Sequence, residues 1–151
     1  MPNTIEMVVS LKVPDATAIT ALQTLHRIGY GKISNIDRAD FYKFLIDGDT
    51  NKFKEQISKV DILINANKHA YGFSIKNDTN IKILVKNIDD DLSSLLSTLK
   101  NRLGIKGIKK LEKATLWSLA INADEKGKKI IAEKAAAELL VNEHYQEFRI
   151  L

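Results

Sequence analysis

Residues 27–47 read RIGYGKISNIDRADFYKFLID, and residues 102–122 read RLGIKGIKKLEKATLWSLAIN, so one pattern occurs twice at a spacing of 75. The match extends without a gap from 27–75 onto 102–150, with 12 identities in 49 positions. Average residue usage would give roughly 3 identities by chance. The chain therefore contains an internal repeat, and its fold is expected to be built from two similar pieces.

The repeat continues upstream of these segments. TIEMVVSLKV at 4–13 matches NIKILVKNID at 80–89, now at a spacing of 76, so one residue has been gained or lost in the first helix. We expect two copies, residues 1–76 and residues 77–151, that form two small domains or one fused pair. The short polar link between them would hold the copies close together.

The start of each copy predicts a strand followed by a helix. Asp15, after Pro14, is expected to open a helix that Gly29 ends. In copy two the carboxylates of residues 89–91 suit the positive end of the equivalent helix, which Gly104 ends. The strand is predicted because apolar residues alternate with mostly polar ones, which is typical of a half-buried strand: Ile5, Met7, Val9, Leu11 and Val13.

The middle of each copy predicts two strands, 32–37 and 40–47 in copy one, with a turn near Arg38 and Ala39. A second helix is expected to start near Asp49 and to place Phe53, Ile57, Val60 and Ile64 at helical spacing. The last strand would place alternate residues on one face, in copy one and then in copy two: His69, Tyr71, Phe73, Ile75; His144, Gln146, Phe148, Ile150.

Each copy therefore predicts the order βαββαβ, a ferredoxin-like α+β fold with a four-stranded antiparallel sheet and two helices on one face. The other sheet face would carry more apolar surface than two separate domains leave in water. We expect these faces to pack on each other or on another chain, with the copies related by a pseudo-two-fold, as in a fused dimer. The residues concerned are Val8, Phe41, Leu45, Leu84 and Leu116.

Composition limits the class of protein. The 151 residues are 44% hydrophobic and 28% charged, with a net charge of +4. Each half carries +2 with both signs interleaved, which is typical of a solvated surface rather than of a nucleic-acid binder. The absence of Cys excludes disulfides and thiolate chemistry. No apolar run approaches a membrane span, and the first residues do not resemble a signal peptide, so we expect no membrane association and a cytoplasmic location.

No catalytic, cofactor-binding or metal-binding residue is predicted. None of the three histidines, His26, His69 and His144, has a ligand partner at helical spacing. His69 and His144 match across the repeat and are interpreted as strand histidines with backbone partners. Gly29 to Gly31 follows a helix and precedes a strand, which is the reverse of a phosphate-binding loop.

The possible interface residues are Leu45, Leu116, Lys109 and Lys113. The two leucines lie on the apolar sheet face described above, and the lysines belong to the densest basic stretch of the chain. Lysines of this kind are typical of a solvated or partner-facing strand edge. Tyr42 and Trp117 occupy equivalent positions beside apolar residues, so core or interface packing is the preferred interpretation over base stacking.

Two further motifs occur in the copies, a late-helix L…LGY and a closing stretch near LLANPxxExYxI. Leu25, Gly29 and Tyr30 match the first motif in copy one, and Leu103-Gly104 in copy two. LLVN at 139–142 with EHYQEFRI at 143–150 matches the ending, and residues 64–67 with 73–75 match it more loosely. On these motifs each copy resembles the PurS-type small subunit of phosphoribosylformylglycinamidine synthase.

The copies depart from this family in a V-R-x-G-K turn between the middle strands. Aligning that turn places Asp37 and Asp40 at its Arg and Lys positions in copy one, and Glu112 and Thr115 in copy two. The Gly becomes Ala39 and Ala114, and the Pro that follows the closing Asn becomes Lys68 and Glu143. Contacts that the basic residues make in the family therefore do not carry over to this chain.

The resemblance implies a non-catalytic subunit that needs no cofactor of its own. Its partners would be the glutaminase and the large synthetase subunits of an ATP- and glutamine-dependent ligase of purine biosynthesis, and a homodimer of the tandem chain is also expected. Two other classes stay open: a tandem regulatory module that binds a small molecule, as ACT-like domains do, and a sheet-based RNA binder. Nucleic acid is not an expected partner, because the RNA-binding aromatic pattern is missing.

Overall fold

The computed structural model describes residues 2–89 and 91–151, and it is an α+β fold with one six-stranded antiparallel sheet. The strands are β1 (Asn3–Leu11), β2 (Ile33–Ile46), β3 (His69–Gly72), β4 (Ile81–Asn87), β5 (Ile108–Ile121) and β6 (Gln146–Ile150). The helices are α1 (Ala16–Arg27), α2 (Thr50–Ile57), α3 (Ser93–Ser97) and α4 (Glu125–Ala135). A π-helical turn extends α3 over Thr98–Arg102, and another extends α4 over Ala136–Leu140.

The strand order in the sheet is β3-β1-β2-β5-β4-β6. The expected pair of four-stranded sheets, packed face to face, is therefore not what forms, because each copy contributes three strands to one sheet. Val8, Leu45 and Leu84 are half-buried on the sheet. Phe41 and Leu116 are 6% and 5% exposed although they belong to neither of the two hydrophobic cores.

The predicted turn between the middle strands is wrong. β2 and β5 each run for 14 residues straight through the positions where a turn was expected. A tight hairpin needs residues that accept a positive φ, and within the described residues only Gly29, Gly48 and Gly104 have one. Ala39 and Ala114 cannot supply it at low cost, so the two short strands join into one long strand.

The chain forms two compact units that do not follow the repeat boundary. The described part of unit 1 comprises residues 2–12, 40–75 and 91–113, and unit 2 comprises Val13–Ala39, Lys76–Asp89 and Ala114–Leu151. Each unit therefore combines the first strand of one copy with the first helix of the other copy. Unit 1 contains β1 and α3, and unit 2 contains β4 and α1. The boundary between the sequence copies lies at residue 76, but each compact unit contains residues from both copies.

The core of unit 1 contains β1 of copy one packed with the first helix of copy two. Leu99 is fully buried there together with Met7, Phe44 and Ile57. Burial of such a side chain stabilises the fold by roughly 1.5–3 kcal/mol. The core residues are Ile5, Met7, Val9, Tyr42, Phe44, Ile46, Phe53, Ile57, Val60, Leu63, Ile64, Leu99, Ile105, Ile108 and Leu111.

The core of unit 2 has the complementary composition, with α1 of copy one packed in the same cluster as β4 of copy two. Leu25 and Ile83 are fully buried in it. The alternate residues of β4 that enter this core are those that the period-two pattern predicts. The core residues are Ala18, Ala21, Leu25, Ile33, Ile36, Ile81, Ile83, Val85, Trp117, Leu119, Ile121, Ala132, Ala135, Ala136, Leu140 and Val141.

Two helix predictions need correction. In copy one α2 ends at Ile57 rather than near Ile64, because the backbone N–H groups of Lys59 and Val60 donate to carbonyls three residues back instead of four, and turns follow. Val60 and Ile64 stay in the core from those turns. In copy two α3 begins at Ser93, whose backbone N–H donates to the Asp91 carboxylate 3.0 Å away, whereas Asp90 lies outside the described residues.

Candidate functional site beside Trp117

The copies make reciprocal contacts through their long strands. In unit 2 the Arg38 guanidinium lies 5.9 Å from the centre of the Trp117 ring, and in unit 1 the Lys113 ammonium lies 5.7 Å from the centre of the Tyr42 ring. Positions 38 and 113, like 42 and 117, are equivalent in the repeat. Such an exchange, in which residue i of one half meets j of the other and j meets i, is the pattern of an isologous interface.

The backbone repeats this reciprocity. The Asp47 N–H donates to the carbonyl of Gly107 over 2.8 Å, and the Asn122 N–H donates to the carbonyl of Lys32, also over 2.8 Å. Asp47 and Asn122 are equivalent positions, as are Lys32 and Gly107. The contacts between the copies are therefore reciprocal, as in a symmetric dimer, but they run between neighbouring strands of one sheet and not between two sheet faces.

Asp15 joins α1 to β2 within unit 2 through four hydrogen bonds. It caps α1, because its carboxylate accepts from the backbone N–H groups of Thr17 at 2.9 Å and Ala18 at 3.3 Å. Arg38 also donates to it, through Nε at 2.9 Å and through a terminal nitrogen at 3.3 Å. Burial by itself would raise the pKa of Asp15, but these hydrogen bonds and the Arg38 charge together hold that pKa below its ordinary value.

An open cleft of about 440 Å³ lies beside this ion pair. One wall is the face of α1 that carries Thr17, Thr20 and Thr24, three hydroxyl side chains at helical spacing. Trp117 also lines the cleft, and Leu139 and Leu140 line it from the π-helical turn after α4. The arrangement combines an aromatic surface, hydroxyl groups and a nearby cation, which could hold a small polar ligand.

A hydrogen bond between the two copies lies at the other end of α1, its C-terminus. The Tyr30 hydroxyl, just after α1, donates to the carboxylate of Glu138, which precedes the cleft residue Leu139. This bond to the carboxylate raises the pKa of Tyr30. It fixes the end of α1 to the π-helical turn that lines the cleft.

The equivalent position in unit 1 is more closely packed. Tyr42 is 4% exposed and stacks on Phe44, with ring centres 6.2 Å apart. Burial, together with the nearby Asp40, raises the pKa of Tyr42 to about 12. The Tyr42 hydroxyl therefore stays neutral throughout the physiological range. Trp117 is also buried, at 7% exposed, so the interpretation of both aromatic residues as packing groups is confirmed.

The four predicted interface residues do not form one cluster. Lys109 pairs with Asp47 at 3.1 Å on the surface of unit 1, and Lys113 lies over Tyr42. Leu45 alternates with the core residues Phe44 and Ile46, so its side chain leaves the sheet on the face opposite Tyr42 and Lys113. Leu116 is buried in unit 2.

The predicted equivalence of His69 and His144 is wrong. In copy one the Asn65 N–H donates to His69 Nδ1 at 2.9 Å, and in copy two the Asn142 N–H donates to Gln146 Oε1 at 3.0 Å. The closing turns therefore correspond at a spacing of 77, because the π-helical turn lengthens the second helix of copy two. His144 lies in the turn itself.

The prediction that His69 has a backbone partner is confirmed, because its side chain accepts a hydrogen bond from the backbone N–H of Asn65. His26 near the end of α1 is likewise within hydrogen-bond distance of a backbone group, the carbonyl of Ile33. Within residues 2–89 and 91–151, no group of three acidic or histidine side chains is arranged to hold a metal ion.

Sequence reasoning found the Asp15 cap but missed its pairing with Arg38. The sequence pattern predicts a turn at Arg38, whereas the structure places Arg38 inside β2. One signal in the sequence pointed to a role for Arg38. Arg38 and its repeat equivalent Lys113 are both cations, and each lies four residues before an aromatic residue. The Asp15–Arg38 pair becomes visible only when β2 is known to run straight through position 38.

Comparison of the sequence with protein-family models finds no match, and a search of curated proteins also finds none. None of the helices in the described residues is long and apolar enough to cross a membrane.

Proposed function

We propose that this chain is a non-catalytic, PurS-like subunit of a phosphoribosylformylglycinamidine synthase complex, in which the tandem copies replace two single small subunits. The observation that carries the proposal is the closing turn of each copy. Asn65 and Asn142 make the same turn, in which their side chains accept from the backbone N–H two residues later. The following strand then begins at the same place relative to that Asn.

This register strengthens the resemblance in copy one. With Asn65 at the Asn of LLANPxxExYxI, His69 and Gln146 occupy the Glu position, and Tyr71 and Phe148 occupy the Tyr position. His69 and Gln146 each accept a hydrogen bond from the backbone of the turn Asn. A Glu carboxylate could accept the same bond. The Pro position in copy one becomes Ala66 instead of Lys68.

The proposal also includes a ferredoxin-like origin for each copy. Each copy keeps the order β-α-β-α-β, which is the βαββαβ order with its two middle strands continuous. We propose that the chain derives from two ferredoxin-like units of this kind that exchanged their first helices. Loss of the turn glycine, now Ala39 and Ala114, favours the continuous strand.

In this function the chemistry belongs to the partners. A glutaminase subunit releases ammonia, a large synthetase subunit consumes ATP, and this chain provides a scaffold that holds the two together in the cytoplasm. The purified chain alone is expected to hydrolyse neither glutamine nor ATP. Glutamine hydrolysis that is lost on replacing one residue of this chain would contradict the proposal.

The decisive experiment is co-purification of the tagged chain with the glutaminase and synthetase subunits of its own source. We expect a three-component complex, and glutamine-dependent amidine formation that requires the chain. Lys109→Glu and Lys113→Glu should weaken capture if the basic strand faces a partner, whereas Lys59→Glu, at a 75% exposed side chain, is the charge-matched control. A chain that purifies alone and leaves the partners' activity unchanged would refute the proposal.

The second candidate is a small-molecule-binding regulatory module, and the cleft beside Trp117 is the observation that favours it. Because Trp117 is the only tryptophan of the chain, its fluorescence reports directly on that cleft. Titration with amino acids and nucleotides should change the emission if this candidate is correct. Unchanged emission at millimolar concentrations of every probe would eliminate it.

A further inference from the structure

β6 forms one edge of the sheet, and its pairing with β4 shows which of its backbone groups are unused by that ladder. Hydrogen bonds run from the Ile88 N–H to the Tyr145 carbonyl at 2.8 Å and from the Leu151 N–H to the Lys82 carbonyl at 3.0 Å. Because such bonds alternate along an antiparallel strand, the odd-numbered residues of this segment face β4. The N–H and C=O groups of Gln146, Phe148 and Ile150 therefore point to the open edge.

The side chains beside this edge form a partly apolar groove. Phe148 and Ile150 are half-buried, and together with Ala137 they line a groove of about 520 Å³ between β6 and the second helix of copy two. Glu133 and Lys134 of α4 complete its lining. An added strand would cover apolar surface here as well as satisfy the backbone groups of the edge.

The opposite face of β6 carries two exposed charges of opposite sign, Glu147 and Arg149. In the register with β4 they lie across from Lys86 and Leu84 respectively. Neither takes part in an ion pair with another of the described residues. They lie symmetrically about Phe148, one residue before it and one after it.

We propose that β6 pairs antiparallel with β6 of a second copy of this chain, about a two-fold axis that passes through Phe148. This register brings the outward backbone groups of Phe148 opposite one another, and those of Gln146 opposite Ile150, giving about six hydrogen bonds. It also places Glu147 of each chain directly opposite Arg149 of the other, so two attractive charge pairs form on one face. The two Phe148 rings meet on the other face, at the centre of the contact.

The other sheet edge offers no such complementarity. Outward backbone groups of β3 lie at His69 and Tyr71, because Ala70 and Gly72 pair with β1. Self-pairing about Tyr71 would place Ala70 opposite Gly72, with no charge pair. A β3-to-β6 contact would be heterologous and would not close into a dimer. The charges therefore select β6 with β6.

The test is the mass of the full chain in solution, measured by sedimentation across a concentration series. Wild type should show a concentration-dependent dimer. Glu147→Arg and Arg149→Glu each place like charges opposite one another and should raise the dissociation constant about tenfold or more. The double variant E147R/R149E restores two attractive pairs and should return the constant to near the wild-type value. Glu55→Arg, at a 73% exposed side chain, is the charge-matched control and should leave it unchanged.

Arg149→Glu is the cleaner single variant, because Arg149 lies across from Leu84 rather than from a charge. Thermal melts would check that each variant is folded. A wild type that stays monomeric at every concentration, or a dimer that both single variants leave intact, would overturn the proposal. The readout is mass alone, so it is independent of whether the chain binds a glutaminase or a synthetase.

Discussion

At the scale of single residues, Asp15 connects two parts of unit 2 through one carboxylate. It caps α1 and also receives Arg38 from β2, and the same Arg38 lies over Trp117 of copy two. The Asp15 side chain is 12% exposed and that of Arg38 is 34% exposed. A charge-assisted pair at this depth is less screened by solvent than a pair on the open surface.

The first prediction is that Asp15→Asn lowers the free energy of unfolding by about 1–2 kcal/mol at neutral pH. Asn is also a good cap, so the loss is mainly that of the charged partner of Arg38. The folded-state pKa of Asp15 is depressed, so its contribution is present above the unfolded-state pKa and is lost as the pH falls through the folded-state value. The difference between wild type and variant should therefore shrink below about pH 4.

Urea denaturation of both proteins from pH 7 to pH 2.5 measures this difference. Arg38→Met is the partner variant, and in its background the effect of Asp15→Asn should be smaller at every pH. A difference that grows towards acid pH would show that the sign is wrong.

At the scale of elements, Gly107 marks the place where β5 approaches the end of β2. A Cβ at Gly107 would lie 2.5 Å from the carbonyl oxygen of Asp47, a backbone atom that cannot move aside easily. The Gly107 carbonyl also accepts the hydrogen bond from the Asp47 N–H. The absence of a side chain is therefore what allows these two backbones to pair so closely.

The second prediction is that Gly107→Ala destabilises the protein by about 1–3 kcal/mol, because the strands must separate to admit the methyl group. Gly31→Ala is the matched control, since a Cβ at Gly31 meets nothing within 4 Å and its φ is not positive. It should change stability by no more than about 0.5 kcal/mol. Equal melting temperatures for the two variants would contradict the close approach at Gly107.

At the scale of the molecule, neither copy contains a complete hydrophobic core. Unit 1 needs Leu99 from copy two, and unit 2 needs Ala18, Ala21 and Leu25 from copy one. A single copy that retained its own first helix would have to place that helix on a different set of side chains. One copy is therefore repeated in the sequence, but it does not fold by itself, because each hydrophobic core requires residues from both copies.

The third prediction is that fragments 1–76 and 77–151, produced separately, do not fold as stable monomers. Mixing them should restore a folded 1:1 complex, because each supplies the helix and strands that the other lacks. Circular dichroism and sedimentation of each fragment and of the mixture measure this outcome. A cooperative melt from either fragment as a monomer would contradict the exchange.

The sequence alone determined the α+β class, the duplication, the buried alternate positions Ile5, Met7 and Val9 of β1, and the helix starts at Asp15 and Asp49. These are local properties, since spacing within one element reveals its buried face and its ends. The tertiary structure decided the merging of the middle strands, the single sheet, the exchanged first helices and the Asp15–Arg38 pair. It also decided the register of the closing turns, where matching His69 with His144 by identity gave the wrong spacing. The reason is that one apolar stripe fits the core of either copy, so only packing in three dimensions selects its partner.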